Sequence, residues 1–195
     1  MIGWILLGIA AVVVLYTIVV FNSLIRLRNQ VANAFAQIDV QLKRRYDLIP
    51  NLVEATRKFL QHEQDTLTAV IAARNQAQAA AGAARVNPAA AAPMAALGAA
   101  EGLLGGVLGR LMAVVEAYPE LKGDKTIREL KEELASTENR IGFARQAYND
   151  TVETFNNRAS QFPANIVAAL FGFPPSAMLE STETPEERKA PKVQF

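Results

Sequence analysis

The chain has 195 residues, enough for one domain plus an anchor; half of them are hydrophobic, aromatics are few and alanine is abundant. This composition favours helices, because alanine is the strongest helix former and β-branched runs are scarce beyond the N-terminus. A net charge of +1, with Lys and Arg interspersed among Asp and Glu, gives none of the basic stripe a nucleic-acid binder needs, and the lack of cysteine excludes disulfides, thiolate chemistry and Cys-ligated metals.

The first element is residues 2–21, IGWILLGIAAVVVLYTIVVF, without a charge. About 20 helical residues at 1.5 Å each span roughly 30 Å, the thickness of a hydrocarbon core. Trp4 near one end suits the interface. A cleaved signal peptide would need a basic start, a shorter apolar core and a small-x-small site, and the sequence has none of these. Arg26 and Arg28, then Lys43, Arg44 and Arg45, follow the span, so the positive-inside rule places the remainder of the chain in the cytoplasm.

From Leu24 the apolar residues fall into helical steps: Leu24, Leu27, Val31, Phe35, Ile38, Leu42 and Ile49. No breaker separates this stripe from the anchor, so one helix should run through both. Pro50 should then interrupt it, because proline inside a helix costs ~3 kcal/mol. The run Asp47-Leu48-Ile49-Pro50 reads as a turn between helices or a sharp kink, with Asp47 as the new cap and Glu54 in the first turns. The second helix should reach about Ala81. Residues 82–93, with Pro88 and Pro93 among small residues, read as a linker. His62, the one histidine, lacks the second histidine of the zinc-protease helix and reads as a surface residue.

Residues 94–117 are apolar and glycine-rich. Glu101 near the centre argues against a second membrane span. Gly98, Gly102 and Gly106 recur every four residues, a spacing that lets backbones approach closely. The segment reads as a bundle helix, with a lipid-contacting segment as the alternative. Pro119 ends it, Gly123-Asp124 turns the chain, and a long helix follows over 125–160 with the stripe Ile127, Leu130, Leu134, Ile141, Ala144, Tyr148, Val152 and Phe155. Phe162-Pro163 stops it. One or two short apolar turns follow over 165–171, and the segment after Pro174-Pro175 reads as a disordered tail.

The expected fold is all-α: a single-pass N-terminal transmembrane helix (1–23) continuing into an antiparallel bundle of about four helices (24–175), then a tail (176–195). Two stretches are more polar than a plain bundle requires. The first is residues 37–54, IDVQLKRRYDLIPNLVE after Gln37, with Asp39, Lys43, Arg44, Arg45, Asp47, Pro50, Asn51 and Glu54. The second runs from TENRI at 137–141 through Tyr148, Asn149 and Asn156 to Phe162 and Pro163. Together with His62-Glu63, Ala73-Arg74, EAYPELK at 116–122 and Gly172-Phe173, these resemble the LemA family from about Asn29 to Glu180. The resemblance implies a bacterial membrane-anchored helical bundle, with roles in envelope organisation or membrane-associated assembly, and implies no reaction.

Asp39 and Lys43, four apart, should pair on one helix face. Arg44 and Arg45 would meet Asp47 and Glu54 if the chain turns at Pro50, either as a network fixing that turn or as a surface for a partner or lipid headgroups. Asn149 and Asn156, seven apart beside Tyr148 and Phe155, should set register or oligomeric state. Carboxylate pairs such as Glu132-Glu133 lie far from any histidine, so no catalytic set, metal site or cofactor is expected. The expectation is a scaffold or adaptor in the inner membrane, contacting the bilayer and a protein partner or another copy of itself, with no nucleic acid or small-molecule substrate. The alternatives are a lipid-binding or membrane-remodelling module and an envelope-stress sensor.

Overall fold

A computed structural model describes residues 1–60 and 63–180 of the chain. Among them every regular element is a helix: α1 Ile2–Arg57, α2 Gln64–Val86, α3 Ala91–Ala117, α4 Pro119–Gly123, α5 Lys125–Ser160 and α6 Ala164–Leu170. His62 lies outside the described residues.

The apolar span and the first bundle helix are one element. α1 has 56 residues, a rod about 84 Å long at 1.5 Å per residue. The side chains over 2–19 are exposed apart from half-buried Thr17, whose hydroxyl donates back to the Val13 carbonyl at 2.8 Å and so needs no water. Burial starts at Val20 and Leu24, both fully enclosed, and continues along the predicted stripe through Val31, Phe35, Ile38, Leu42 and Ile49.

Pro50 does not break α1, contrary to the sequence expectation. A proline at this position leaves the carbonyl four residues earlier without its helical donor. That carbonyl belongs to Tyr46, and it accepts a hydrogen bond from Arg74 Nε on α2 at 3.0 Å. Leu48, Ile49, Leu52 and Val53 are buried on either side of the proline and hold the helix in place. The chain turns one to two helical turns later, after Arg57. Leu60 is buried, and its amide and that of Phe59 both donate to the Thr56 carbonyl.

α2 returns along α1 and packs on α3 as well, burying Leu67 and Val70 and a stripe of small residues, Ala73, Ala77, Ala81 and Ala84. The expected linker over 82–93 is mostly helix: α2 runs on to Val86, and α3 begins at Ala91 with Pro93 in its first turn. Only residues 87–90 connect them, because alanine on both sides sustains helix up to the single break at Asn87-Pro88. α3 buries Met94, Leu97, Leu104, Leu108, Leu111 and Val115. It is long and apolar enough to cross a membrane, but a third of its most apolar window is buried within the bundle, against 6% for α1.

α5 opens where the sequence places it, with the Asp124 carboxylate accepting from the Ile127 amide at 3.0 Å. It runs antiparallel to α1, burying Ile127, Leu134, Ile141, Tyr148, Val152 and Phe155. Tyr148 meets Phe35 edge-on at 6.1 Å. After the cis Phe162-Pro163 peptide, α6 packs on α1 and α5, and Phe171 and Phe173 stack edge-on against Phe21 at 5.1 and 5.6 Å. Gly172 adopts φ +70°, the left-handed conformation glycine tolerates, and the chain doubles back.

Residues 174–180 then run as an extended strap along α5. Ser176 and Leu179 are buried, so this first portion of the expected tail is part of the packed structure. The rest, 181–195, lies outside the described residues.

Candidate functional site

The long helices form two pairs, α1 with α5 and α2 with α3, joined where α2 packs on α1. The seam between α3 and α5 stays open. It holds a cleft of about 290 Å³, with Ile38, Leu42 and Arg45 of α1 as its floor. Gly98, Gly102, Gly105 and Gly106 line the α3 wall, Glu138, Ile141 and Arg145 the α5 wall, and Leu179 and Glu180 of the strap close one end.

Arg45 is the centre of this cleft. Its side chain is only 8% exposed, and Nη1 lies 3.0 Å from Glu101 Oε2 on α3 and 2.9 Å from Glu138 Oε2 on α5. One guanidinium thus ties three helices. The other Glu101 oxygen accepts the Tyr46 hydroxyl hydrogen bond. Burial raises the Glu101 carboxyl above its ordinary range, against the opposing pull of Tyr46 and Arg45. Burial and the neighbouring Glu101 carboxylate push the Tyr46 phenol well above the usual tyrosine range. Both partners of the hydrogen bond therefore hold their protons more tightly than they would in water.

The strap is fixed by a second polar set. Asn149 Nδ2 donates to the Leu179 carbonyl at 3.1 Å while its Oδ1 accepts from the Leu179 amide at 2.9 Å. One heptad on, Asn156 repeats the pattern with Ser176, at 2.9 and 2.8 Å. The Tyr148 hydroxyl lies 2.5 Å from the Pro88 carbonyl oxygen and 2.7 Å from that of Ala177; its single proton serves one at a time. Burial pushes this phenol up to about 12. The Ala177 amide completes the join by donating to Ala89, in the α2–α3 connection.

The remaining predicted residues disperse. Asp39 pairs with Arg85 of α2 at 2.7 Å instead of with Lys43, which is exposed. Arg44 pairs with Glu133, both half-exposed, because the uninterrupted helix keeps it away from Asp47 and Glu54. Asp47, Pro50 and Asn51 are exposed, and Glu54 pairs with Arg57. Phe162 is exposed and Pro163 half-buried at the α5–α6 corner. Sequence reasoning brought Arg45 into view without its partners, and missed Arg74 and Glu101. Glu101 carried a signal: it is the lone charge within the apolar stretch 91–109, on the same helical face as Gly98 and Gly105.

Comparison with known proteins gives a family and partial relatives. The LemA family profile matches residues 34–195. The magnetosome proteins MamQ 1 and MamQ 2 of Paramagnetospirillum magneticum are each 40% identical over 78 residues. Magnetosome protein MamQ of Magnetospirillum gryphiswaldense is 36% identical over the same length. Each match covers 40% of this chain and 29% of the relative, so the chain spans under a third of the length of these proteins. The family match takes in the Arg45 cleft, both asparagine clamps and the strap, and on that extent the chain belongs to the LemA family.

Proposed function

We propose that this protein is a non-enzymatic, membrane-anchored scaffold that presents the α3–α5 cleft to a protein partner, a further copy of the chain included. The observation that carries the reading is the open seam. α3 turns its glycines and Glu101 toward α5, yet a gap remains between the two helices. Glycines at this spacing let another backbone come close, and the charges in the gap would select for complementary ones.

The polar groups of the cleft support binding over catalysis. Both Glu101 oxygens are engaged, and the Tyr46 phenol is shifted away from neutral pH. The phenol and the carboxylate are thus committed to holding helices together, a structural use of the groups that a catalytic acid or base would need free. The kinship with proteins named for the magnetosome fits work within a cellular assembly. In this reading the span sits in the bacterial inner membrane with the bundle on the cytoplasmic side.

Photo-crosslinking in cells tests the proposal. A photoreactive residue at Met112 or Ala135, on the two sides of the seam, should give a defined adduct, and the same residue at Glu153 should not. A detergent-extracted monomer with no adduct from either seam position would refute it.

A further inference from the structure

The apolar surface around α6 has no place in the scaffold reading. Residues 162–173, FPANIVAALFGF, contain no charged side chain. One face of α6 is spent on the bundle, with Ala164, Val167 and Ala168 buried. The opposite face is open: Phe162 is 81% exposed, Ile166 58%, Leu170 75% and Phe171 48%. Four large apolar side chains on one corner are more than scattered surface hydrophobics.

The height of this corner on α1 suggests what covers it. The exposed apolar stretch is 2–19, about 27 Å of helix, slightly short of a hydrocarbon core of roughly 30 Å. The next residues, Val20 and Phe21, are where the bundle begins. Phe21 packs on Phe171 and Phe173, and Val20 is sealed within the same core as Val167 and Ala168. α6 therefore sits at the depth of the last turn of the span. Arg26 and Arg28 follow within two turns on α1, with Arg28 over the Phe173 ring at 5.3 Å, and Arg158 lies in the last turn of α5. That is the layering of a membrane interface: an apolar body, aromatic rings at the boundary, and arginines at the height of the phosphates.

We propose that α6 and its flanking phenylalanines form a second membrane contact. They act as an interfacial foot whose Phe162, Ile166, Leu170 and Phe171 side chains enter the acyl–headgroup boundary of the leaflet where α1 leaves the bilayer. The proposal rests on α1 being a membrane span and is independent of the cleft. An 18-residue exposed stretch becomes long enough when α6 supplies apolar surface at its end, and the foot fixes the tilt of the bundle that a lone helix would leave free.

Tryptophan fluorescence of the full chain in lipid nanodiscs, loaded with one or with several proteins per disc, tests this. The wild type reports on the span through Trp4, its only tryptophan; quenching by brominated phosphatidylcholine establishes insertion separately. In a Trp4→Phe background, Ile166→Trp and Leu170→Trp should each emit in the blue and lose most of their intensity to brominated lipid. Phe143→Trp, exposed on α5 about 25 Å further from the span, should emit in the red and respond to aqueous acrylamide. If the α6 probes behave like the Phe143 probe while Trp4 is quenched, the foot is refuted and the span stands. Blue emission that brominated lipid leaves unquenched also refutes it, by assigning the face to protein: another copy if the signal varies with protein per disc, the chain's own C-terminal residues if it does not.

Discussion

Arg74 holds a carbonyl that Pro50 leaves without a donor, and this can be tested by restoring the donor elsewhere. Arg74→Ala in the native sequence leaves the Tyr46 carbonyl unpaired. A hydrogen bond from a charged group is worth about 1.5–3 kcal/mol, and half-burial of Arg74 places it at the lower end. In a Pro50→Ala background the new backbone amide takes the Tyr46 carbonyl as its ordinary helical acceptor. Loss of Arg74 then removes a surface side chain and should cost about 0.5 kcal/mol. The two substitutions should thus couple by about 1 kcal/mol, or about 3 °C in melting temperature for a chain of this size. Thermal unfolding of the four proteins in mild detergent, followed by circular dichroism, measures the cycle. Equal costs of Arg74→Ala in both backgrounds would refute the exchange of donors.

The two neighbouring arginines should separate sharply by thermal unfolding. Arg45→Ala strands a buried carboxylate and should cost about 3 kcal/mol, whereas Arg44→Ala, in a half-exposed pair with Glu133, should cost less than about 1 kcal/mol. Asn149→Ala or Asn156→Ala removes two backbone hydrogen bonds, about 2 kcal/mol of local stability, and hydrogen exchange at the Leu179 or Ser176 amide should accelerate while the α5 amides stay protected. Burial raises the Glu101 carboxyl above 4.5, so the folded state takes up this proton before the unfolded state does. Acidification from neutrality down toward 4.5 should therefore stabilise the wild type relative to Glu101→Gln, and a pH-independent difference between the two would contradict the assignment. Gly106→Ala meets no atom within 4 Å of the added Cβ and should raise stability by about 0.5–1 kcal/mol. If the seam is a docking surface, the same change should weaken the in-cell crosslink.

The features written in local pattern were legible in the sequence. The uncharged span, the α1 stripe from Leu24 to Ile49, and the Asp124 start of α5 depend on periodicity and capping, which a single segment carries by itself. Pro50 misled because its compensation is tertiary: the replacement donor comes from Arg74, on a different helix. Arg44 and Arg45 stand out in the sequence as a charged pair, but their carboxylates lie on α3 and α5, far along the chain. Asn149 and Asn156 showed the spacing of a helix seam, and their partner proved to be extended backbone, which has no periodicity to find. The same segment reads as tail because it follows Gly172-Phe173-Pro174-Pro175, where regular structure must end. Four hydrogen bonds from two amide side chains are what order Ser176 and Leu179.

The continuity of α1 has a consequence in angle. Lipid-facing and bundle-facing residues lie on one uninterrupted helix, so they share one helical phase. A residue inserted before Val20 would turn the whole span by about 100° against the bundle and shift it about 1.5 Å along the axis; four inserted residues would leave about 40° and 6 Å. Any membrane-embedded neighbour that grips one side of the span is thereby presented to the bundle at a fixed azimuth, and the compass direction of the cleft is decided inside the bilayer.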